Sequence, residues 1–215
     1  MRNHFNDQLA QLNLEMTRMG SSCEEIIELV AKAMTGWEDD LVHRVEILGG
    51  EIDQSERTIE ALCLKLLLQQ QPVARDLRQI SAAMKMITDM ERIGDQAEDI
   101  ADIITHLDCR VEHESIRIRQ MAEATMQMVR EAVDAYVRQD LDLAHTVMKH
   151  DDVVDNYFVQ IRTSLIDVIR LNPEDGAYAL DLLMIAKYCE RIGDHCTNIA
   201  EWVEFSVTGE HQSCQ

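Results

Sequence analysis

The 215-residue chain has few aromatic residues, two prolines and half as many basic as acidic residues. Leu, Met, Ala, Glu and Gln abound instead, and β-branched runs are rare, which is the composition of an all-α protein. The formal net charge of −20 argues against nucleic acid and anionic membrane surfaces as partners, because both would repel the chain. It favours cations or basic protein surfaces.

Targeting and membrane signals are also missing. The first residues are polar and do not resemble a signal peptide, and the most apolar run, Leu62 to Leu68, is short and contains Lys65. No C-x-x-C spacing occurs, so we expect the cysteines to be reduced core residues of a cytoplasmic protein. There are six of them: Cys23, Cys63, Cys109, Cys189, Cys196 and Cys214.

The pentapeptide Glu-Arg-Ile-Gly-Asp occurs twice, at residues 91–95 and 190–194, which are 99 positions apart (190 − 91). Such a repeat indicates an internal duplication. On a helix of 100° per residue, each copy continues as a row of acids within about 60° of one another. The rows are Glu91, Asp95, Glu98 and Asp102, and then Glu190, Asp194, Thr197 and Glu201. Ahead of each row the same line is apolar, which predicts a homodimer contact.

Carboxylates four residues apart repel each other, and a bound cation would turn this cost into affinity. Carboxylate oxygens without imidazole or thiolate suit hard ions such as Mg²⁺, Ca²⁺, Mn²⁺ or oxidised iron. The alternative is an ordinary solvated acidic face. Gly94 and Gly193 occupy equivalent positions inside the two repeats, and they predict the close approach of another backbone.

The spacing of apolar residues predicts six helices. The first follows a seam from Phe5 to Val30, and the second runs from Leu41 to Leu66 through Gly49-Gly50, a weak point rather than a break. Pro72 and Asn172-Pro173 stand at equivalent joints and are expected to open the third and sixth helices. We therefore predict two tandem three-helix bundles related by internal pseudo-symmetry, with domains at 1–109 and 110–215.

One acid breaks the apolar seam of the fifth helix. Asp151 lies where every other member is apolar, and Asp155 follows one turn later. The first half has Asp53 at the equivalent place, with Gly49 where the second acid would be. A buried, unpaired carboxylate would be costly, so these residues are expected to join the acid rows of the neighbouring helices.

Arrangements typical of catalysis are absent. The chain contains no Glu-x-x-His pair of the di-iron bundles, no Ser-His-Asp arrangement and no glycine-rich phosphate loop. Two functional interpretations of the residues stay open: a metal-dependent helical-bundle enzyme that uses the carboxylate clusters, and a helical scaffold whose acids serve solubility.

These features together resemble the PhoU family of accessory and regulatory proteins of phosphate uptake, over nearly the whole chain. The paired Glu-Arg-Ile-Gly-Asp boxes are the specific signal. Weaker matches are His4-Phe5, Met16-Thr17-Arg18-Met19-Gly20, Gln71-Pro72 with Asp76-Leu77-Arg78, and Asp151-x-x-x-Asp155. The resemblance implies carboxylate-bound metal clusters, reported with iron, and a non-enzymatic role. That role is to lower phosphate-transporter activity and to damp a phosphate-sensing histidine kinase, so the implied partners are the transporter ATPase and the kinase.

The resemblance also implies which residues bind metal. They are Asp53, Glu91, Asp95 and Asp99 in the first half, and Asp151, Asp155, Glu190, Asp194 and Asn198 in the second. Gly49 stands where the family commonly has an acid, and Asn198 stands at the place of Asp99. We therefore expect the second-half cluster to be the better occupied one.

Overall fold

The computed structural model describes residues 2–34, 39–70, 72, 74–107 and 112–210, and over these ranges it contains α-helices, one 3-10 turn and no strand. The prediction of an all-α protein is confirmed. The six helices are α1 (Arg2–Ala33), α2 (Asp39–Gln70), α3 (Arg75–Thr105), α4 (Glu112–Arg138), α5 (Leu141–Leu171) and α6 (Gly176–Thr208). The predicted domain boundary at 109/110 lies outside the described residues and stays a prediction.

Apolar spacing of four and three builds the core. Along α1, the predicted seam residues from Leu12 to Ile26 are fully buried, and α2 buries Val45, Ile52 and Ile59 in the same way. α2 runs through Gly49-Gly50 without a break, as predicted. Buried side chains from all six helices form one continuous cluster, so the two halves share a core. Of the cysteines, Cys23, Cys63, Cys189 and Cys196 are buried free thiols, while Cys109 and Cys214 lie outside the described residues.

Both proline predictions are wrong by one turn. α3 begins at Arg75, after Ala74 with φ 44° and no side-chain cap, so Pro72 precedes the helix. Pro173 opens a separate 3-10 turn (Pro173–Asp175), and α6 starts only at Gly176. Before α3 the non-helical residue is Ala74, and before α6 the first turn after Pro173 has 3-10 geometry, which is common at the N-termini of α-helices.

The helix that precedes Pro173 ends at Asn172. Asn172 is extended at φ −140° and serves as the C-cap of α5, where its N–H donates to the Val168 carbonyl at 2.9 Å. Its side chain makes no capping bond to the backbone of the 3-10 turn and donates instead to the Asp175 carboxylate at 2.8 Å.

The two acid-bearing helices, α3 and α6, lie at the centre. α3 packs against α1, α2 and α6, and α6 packs against α3, α4 and α5. They run antiparallel, since Asp89 contacts His195 while Arg78 reaches the Ser206 carbonyl. Each central helix thus carries one outer acid-bearing neighbour, α2 for α3 and α5 for α6.

This arrangement removes the basis for the predicted dimer contact. The apolar line ahead of each acid row is mostly buried within the chain, as Ile80, Ile87, Ala179 and Ala186 are all fully or nearly fully buried. Three neighbouring helices already cover α3 and α6, so that line is not a free surface. A homodimer stays a prediction without this support.

Candidate metal centres

Three carboxylates converge in the first half of the chain. Asp53 of α2 meets Glu91 and Asp95 of α3, and one oxygen of each lies within 4.8 Å of the others. The repeat spacing explains the α3 pair, because residues four apart stand one above the other on a helix. Burial and the neighbouring Asp95 charge raise the pKa of Glu91, which is the mark of carboxylates held against one another.

Arginines partly balance this first cluster. Arg92 contacts Asp95 at 2.9 Å and Glu91 at 3.5 Å, and Arg57 lies 3.7 Å from Asp53. Both guanidinium groups are more than half exposed, so these ion pairs contribute little stability. A cation that entered the cluster would compete only with weakly held partners.

The second half assembles four predicted acids across α5 and α6. Burial raises the pKa of Asp151 to about 6, with further contributions from the charges of Asp155, Asp194 and Glu190. The pKa of Asp194 is raised by burial and by Glu190 and Asp155. The ammonium of Lys187 forms a close ion pair with Glu190. The four carboxylates therefore lie within electrostatic reach of one another, and their binding of a metal stays a prediction.

Glycine lets the outer helices come close at both sites. A Cβ built on Gly94 would lie 3.2 Å from Ile52 of α2, and one on Gly193 would lie 3.2 Å from Oδ1 of Asp151 and 3.4 Å from Val154 of α5. The predicted close approach is present, but the nearest atoms belong to side chains rather than to another backbone. The absent side chains make room for Ile52 and Val154.

Two predicted site residues lie instead at the contact between α3 and α6. Asn198 donates to Oδ1 of Asp89 at 3.1 Å, and Asp89 also contacts Nδ1 of His195 at 2.9 Å. Burial and then the nearby charge of Asp99 raise the pKa of the Tyr188 phenol. The structure therefore brings Asp99 and Asn198 against the opposite central helix, and their part in metal binding stays a prediction.

An unused hydroxyl marks the second cluster. Thr197, in the acid row of α6, has a buried Oγ1 without a hydrogen-bond partner among the described residues. Other helical threonines use theirs, as Thr17 and Thr58 donate to the carbonyl four residues earlier at 2.9 and 2.8 Å. Thr197 follows Asp194 by one helical turn, so its unpaired oxygen is a further donor for a hard cation or its water. The residues present fit such an ion.

The comparisons with known proteins agree with this arrangement. A family profile described as the PhoU domain matches residues 16–104 and again residues 118–203. The chain belongs to the PhoU family. It is 34% identical over 97% of its length to a protein from Clostridium acetobutylicum named phosphate-specific transport system accessory protein PhoU homolog, of which 96% is covered. A homolog of the same name from Pseudomonas aeruginosa is 33% identical, with 95% of this chain and 86% of that protein covered.

Solved PhoU structures share the fold. The crystal structure of PhoU from Pseudomonas aeruginosa superimposes with a TM-score of 0.89 at 32% identity, covering 96% of this chain and all of the other. PhoU from Streptococcus pneumoniae also gives 0.89, covering 98% of this chain and all of the other, at 23% identity, which supports the fold alone. None of the described helices combines the length and apolar character needed to cross a membrane.

The acid oxygens converge more closely in the first PhoU site than the sequence suggested. Sequence favoured the second half, because Gly49 leaves the first half one acid short. Among the described residues, however, the group of three closely converged oxygens is the one formed by Asp53, Glu91 and Asp95. Which site binds metal more tightly stays a prediction.

Proposed function

We propose that this protein is a non-enzymatic regulator of phosphate uptake and of phosphate-sensing two-component signalling. The observation that carries the proposal is the match of both halves to the PhoU domain, together with relatives named as accessory proteins of phosphate-specific transport along nearly the full chain. Accessory proteins of a transport system act by contact. The net charge of −20 suits docking on a basic surface of a transporter ATPase or of a histidine kinase in the cytoplasm.

The second part of the proposal concerns metal. In the first half Asp53, Glu91 and Asp95 would hold a hard cation, and in the second half Asp151, Asp155, Glu190 and Asp194 would do so. Iron, manganese, magnesium or calcium fits this all-oxygen donor set. Each bound ion would offset the repulsion of the carboxylates and tie a central helix to its outer neighbour. In this proposal the ions stabilise the docking-competent shape and carry out no turnover.

A capture experiment tests both parts. The purified protein is mixed with the immobilised cytoplasmic region of the kinase, and separately with the transporter ATPase, with bound metal measured in the same samples. We expect capture of the wild type by at least one of them. Glu190→Ala/Asp194→Ala should lose metal and bind the partner more weakly. The matched control is Glu51→Ala/Glu60→Ala, which removes two exposed acids of α2.

The outcomes separate the two parts. Capture by neither partner would overturn the regulatory proposal. Unchanged metal content and unchanged capture in Glu190→Ala/Asp194→Ala would remove the second-half cluster from the mechanism. Equal loss of capture in the control would mean that general negative charge, and not the cluster, supports docking.

A further inference from the structure

The acid missing at Gly49 is replaced from the opposite helix. We infer that Glu98 of α3 supplies the first-half site with the carboxylate that Asp151 of α5 supplies in the second half, so that Glu98 is a metal ligand of this chain. This inference rests on the proposed binding of a hard cation. It follows from three observations: how the outer helices align, what fills the space over Gly49, and which charges surround Glu98.

Packing aligns the outer helices. Ile52 covers Gly94 and Val154 covers Gly193, so the two occupy corresponding places 102 positions apart (154 − 52). The same offset relates Asp53 to Asp155, and it relates Gly49 to Asp151 (151 − 49). Gly49 is therefore the position from which α2 would present its second carboxylate.

The space over Gly49 is already filled by a carboxylate. A Cβ built on Gly49 would lie 1.7 Å from Oε1 of Glu98 and 2.5 Å from its Cδ. Atoms cannot approach so closely, so the half-buried Glu98 lies directly on the bare backbone of α2. Glycine at this position is what admits the carboxylate of α3.

The charges around Glu98 correspond to those around Asp151. After burial, the charges of Asp95 and Asp53 do most to raise the pKa of Glu98. The charges of Asp155 and Asp194 do most to raise the pKa of Asp151. Asp53 corresponds to Asp155 in the outer helices, and Asp95 corresponds to Asp194 in the repeats. Each of the two carboxylates thus faces the same pair of site positions.

The central helices show the reciprocal exchange. Thr197 occupies the place of Glu98 in α6, 99 positions on (197 − 98), so α6 has no carboxylate there, and Asp151 of α5 lies against Gly193 instead. The first half pairs glycine with glutamate, and the second pairs aspartate with threonine. Each half retains four carboxylates: Asp53, Glu91, Asp95 and Glu98, against Asp155, Glu190, Asp194 and Asp151. Without metal, the oxygens of Asp53, Glu91 and Asp95 lie within 4.8 Å of one another, and Glu98 is not part of that group. In this inference a bound ion draws Glu98 from its place over Gly49 to complete the first-half site.

Exchange of the pair between halves tests the inference. Four full-length proteins are compared by Mn²⁺ calorimetry and by elemental analysis: a parent variant, and the parent with Glu98→Thr, with Gly49→Asp, or with both. The parent carries Asp151→Asn/Asp194→Asn, so that only the first site is read. Glu98→Thr should weaken Mn²⁺ binding about tenfold or more, as loss of a ligand does. The double variant should recover most of this affinity, because its aspartate is returned to α2.

Two further variants separate the loss of a ligand from a change of shape or of general charge. Glu98→Gln keeps the shape of the side chain and should still weaken Mn²⁺ binding, whereas Glu51→Gln removes one exposed acid of α2 and should not. Circular dichroism melts without metal check that each variant is folded. Unchanged Mn²⁺ affinity in Glu98→Gln, or no recovery in a folded double variant, would overturn the assignment of Glu98. The wild-type protein, without any substitution, is measured alongside. Absence of Mn²⁺ binding in it would instead overturn the metal part of the proposed function, and this inference with it.

Discussion

The two acid clusters are built from the same repeat, yet they arrange and balance their carboxylate charges differently. In the first, three oxygens lie within 4.8 Å of one another and arginines contact all three carboxylates. In the second, Asp151 is the most strongly perturbed acid, with its pKa raised to about 6, and Lys187 forms an ion pair with Glu190. The shared motif determines the central helix. The side chains of the outer helix decide how the charges are arranged, and four predictions test this difference.

The largest effect is expected where the outer helix meets the repeat glycine. Gly94→Leu should lower the free energy of unfolding by about 3 kcal/mol, because Ile52 is buried, branched and already within 3.2 Å of a Cβ there. Gly193→Leu should cost less, since one of its two close neighbours is the half-exposed Asp151. Urea denaturation without metal measures both.

Gly50→Ala is the matched control for the glycines. Gly50 is exposed in the middle of α2 and a Cβ there would meet nothing within 4 Å, so alanine should stabilise the helix by about 0.5–1 kcal/mol. If Gly193→Leu proved as costly as Gly94→Leu, the proposed difference between the Ile52 and Asp151 contacts would be incorrect.

The second prediction concerns the contact between the central helices. Asp89→Ala should destabilise the protein by about 2 kcal/mol, because the mostly buried carboxylate bonds both His195 and Asn198. Asp99→Ala, which removes an exposed acid of the same helix, is the control and should cost much less. Thermal and urea unfolding measure the difference, and equal losses would contradict the unequal burial of the two residues.

The third prediction uses the raised pKa of Asp151. This pKa is about 6 in the folded protein against an ordinary 3.8, so the folded state binds the proton more strongly than the unfolded state does. The stability contributed by this proton is fully present below about pH 4 and is lost as the pH rises through about 6. Without metal, Asp151→Asn should therefore be more stable than wild type at pH 7.5, and this advantage should shrink on acidification to pH 5.

Its size is modest because the carboxyl is only half-buried. After allowance for solvent screening we expect about 1 kcal/mol, or about 2–4 °C in Tm for a chain of this length. Mn²⁺ should reverse the order at pH 7.5, since only the wild type keeps the ligand. A Tm difference that did not change between pH 7.5 and pH 5 would contradict the raised pKa.

Much of this could be predicted from periodicity. The steps of four and three along α1 and α2 identify the buried faces, and the duplicated acids identify α3 and α6 as the helices that carry the site. The residue at which α6 begins could not be predicted, because the sequence does not show that the turn after the extended Asn172 is a 3-10 turn and not the first turn of the α-helix. The apolar line that contains Ile80 and Ile87 does not support the predicted homodimer, because the spacing along one helix does not show that neighbouring helices of the same chain already cover that line.

The role of Glu98 could not be recognised from one helix at a time. Its place in the acid row was visible, and so was the gap at Gly49, but the link between them depends on the distance between α2 and α3. That distance is set by Ile52 against Gly94, a contact between residues 42 positions apart (94 − 52). Sequence spacing describes the faces of single helices, whereas the ligand set arises where two faces meet.

The smallest effect is expected at Tyr188, the position that corresponds to Asp89 in the second repeat (188 − 89 = 99). Its hydroxyl lies within the electrostatic reach of Asp99, an exposed residue that water can replace as a partner. Tyr188→Phe should therefore change the free energy of unfolding by less than about 0.5 kcal/mol, against about 2 kcal/mol for Asp89→Ala. Urea denaturation of the two variants in parallel compares them directly. A loss at Tyr188 as large as that at Asp89 would mean that the two ends of the α3–α6 contact are energetically equivalent, and that the repeat preserves this contact as closely as it preserves the acids.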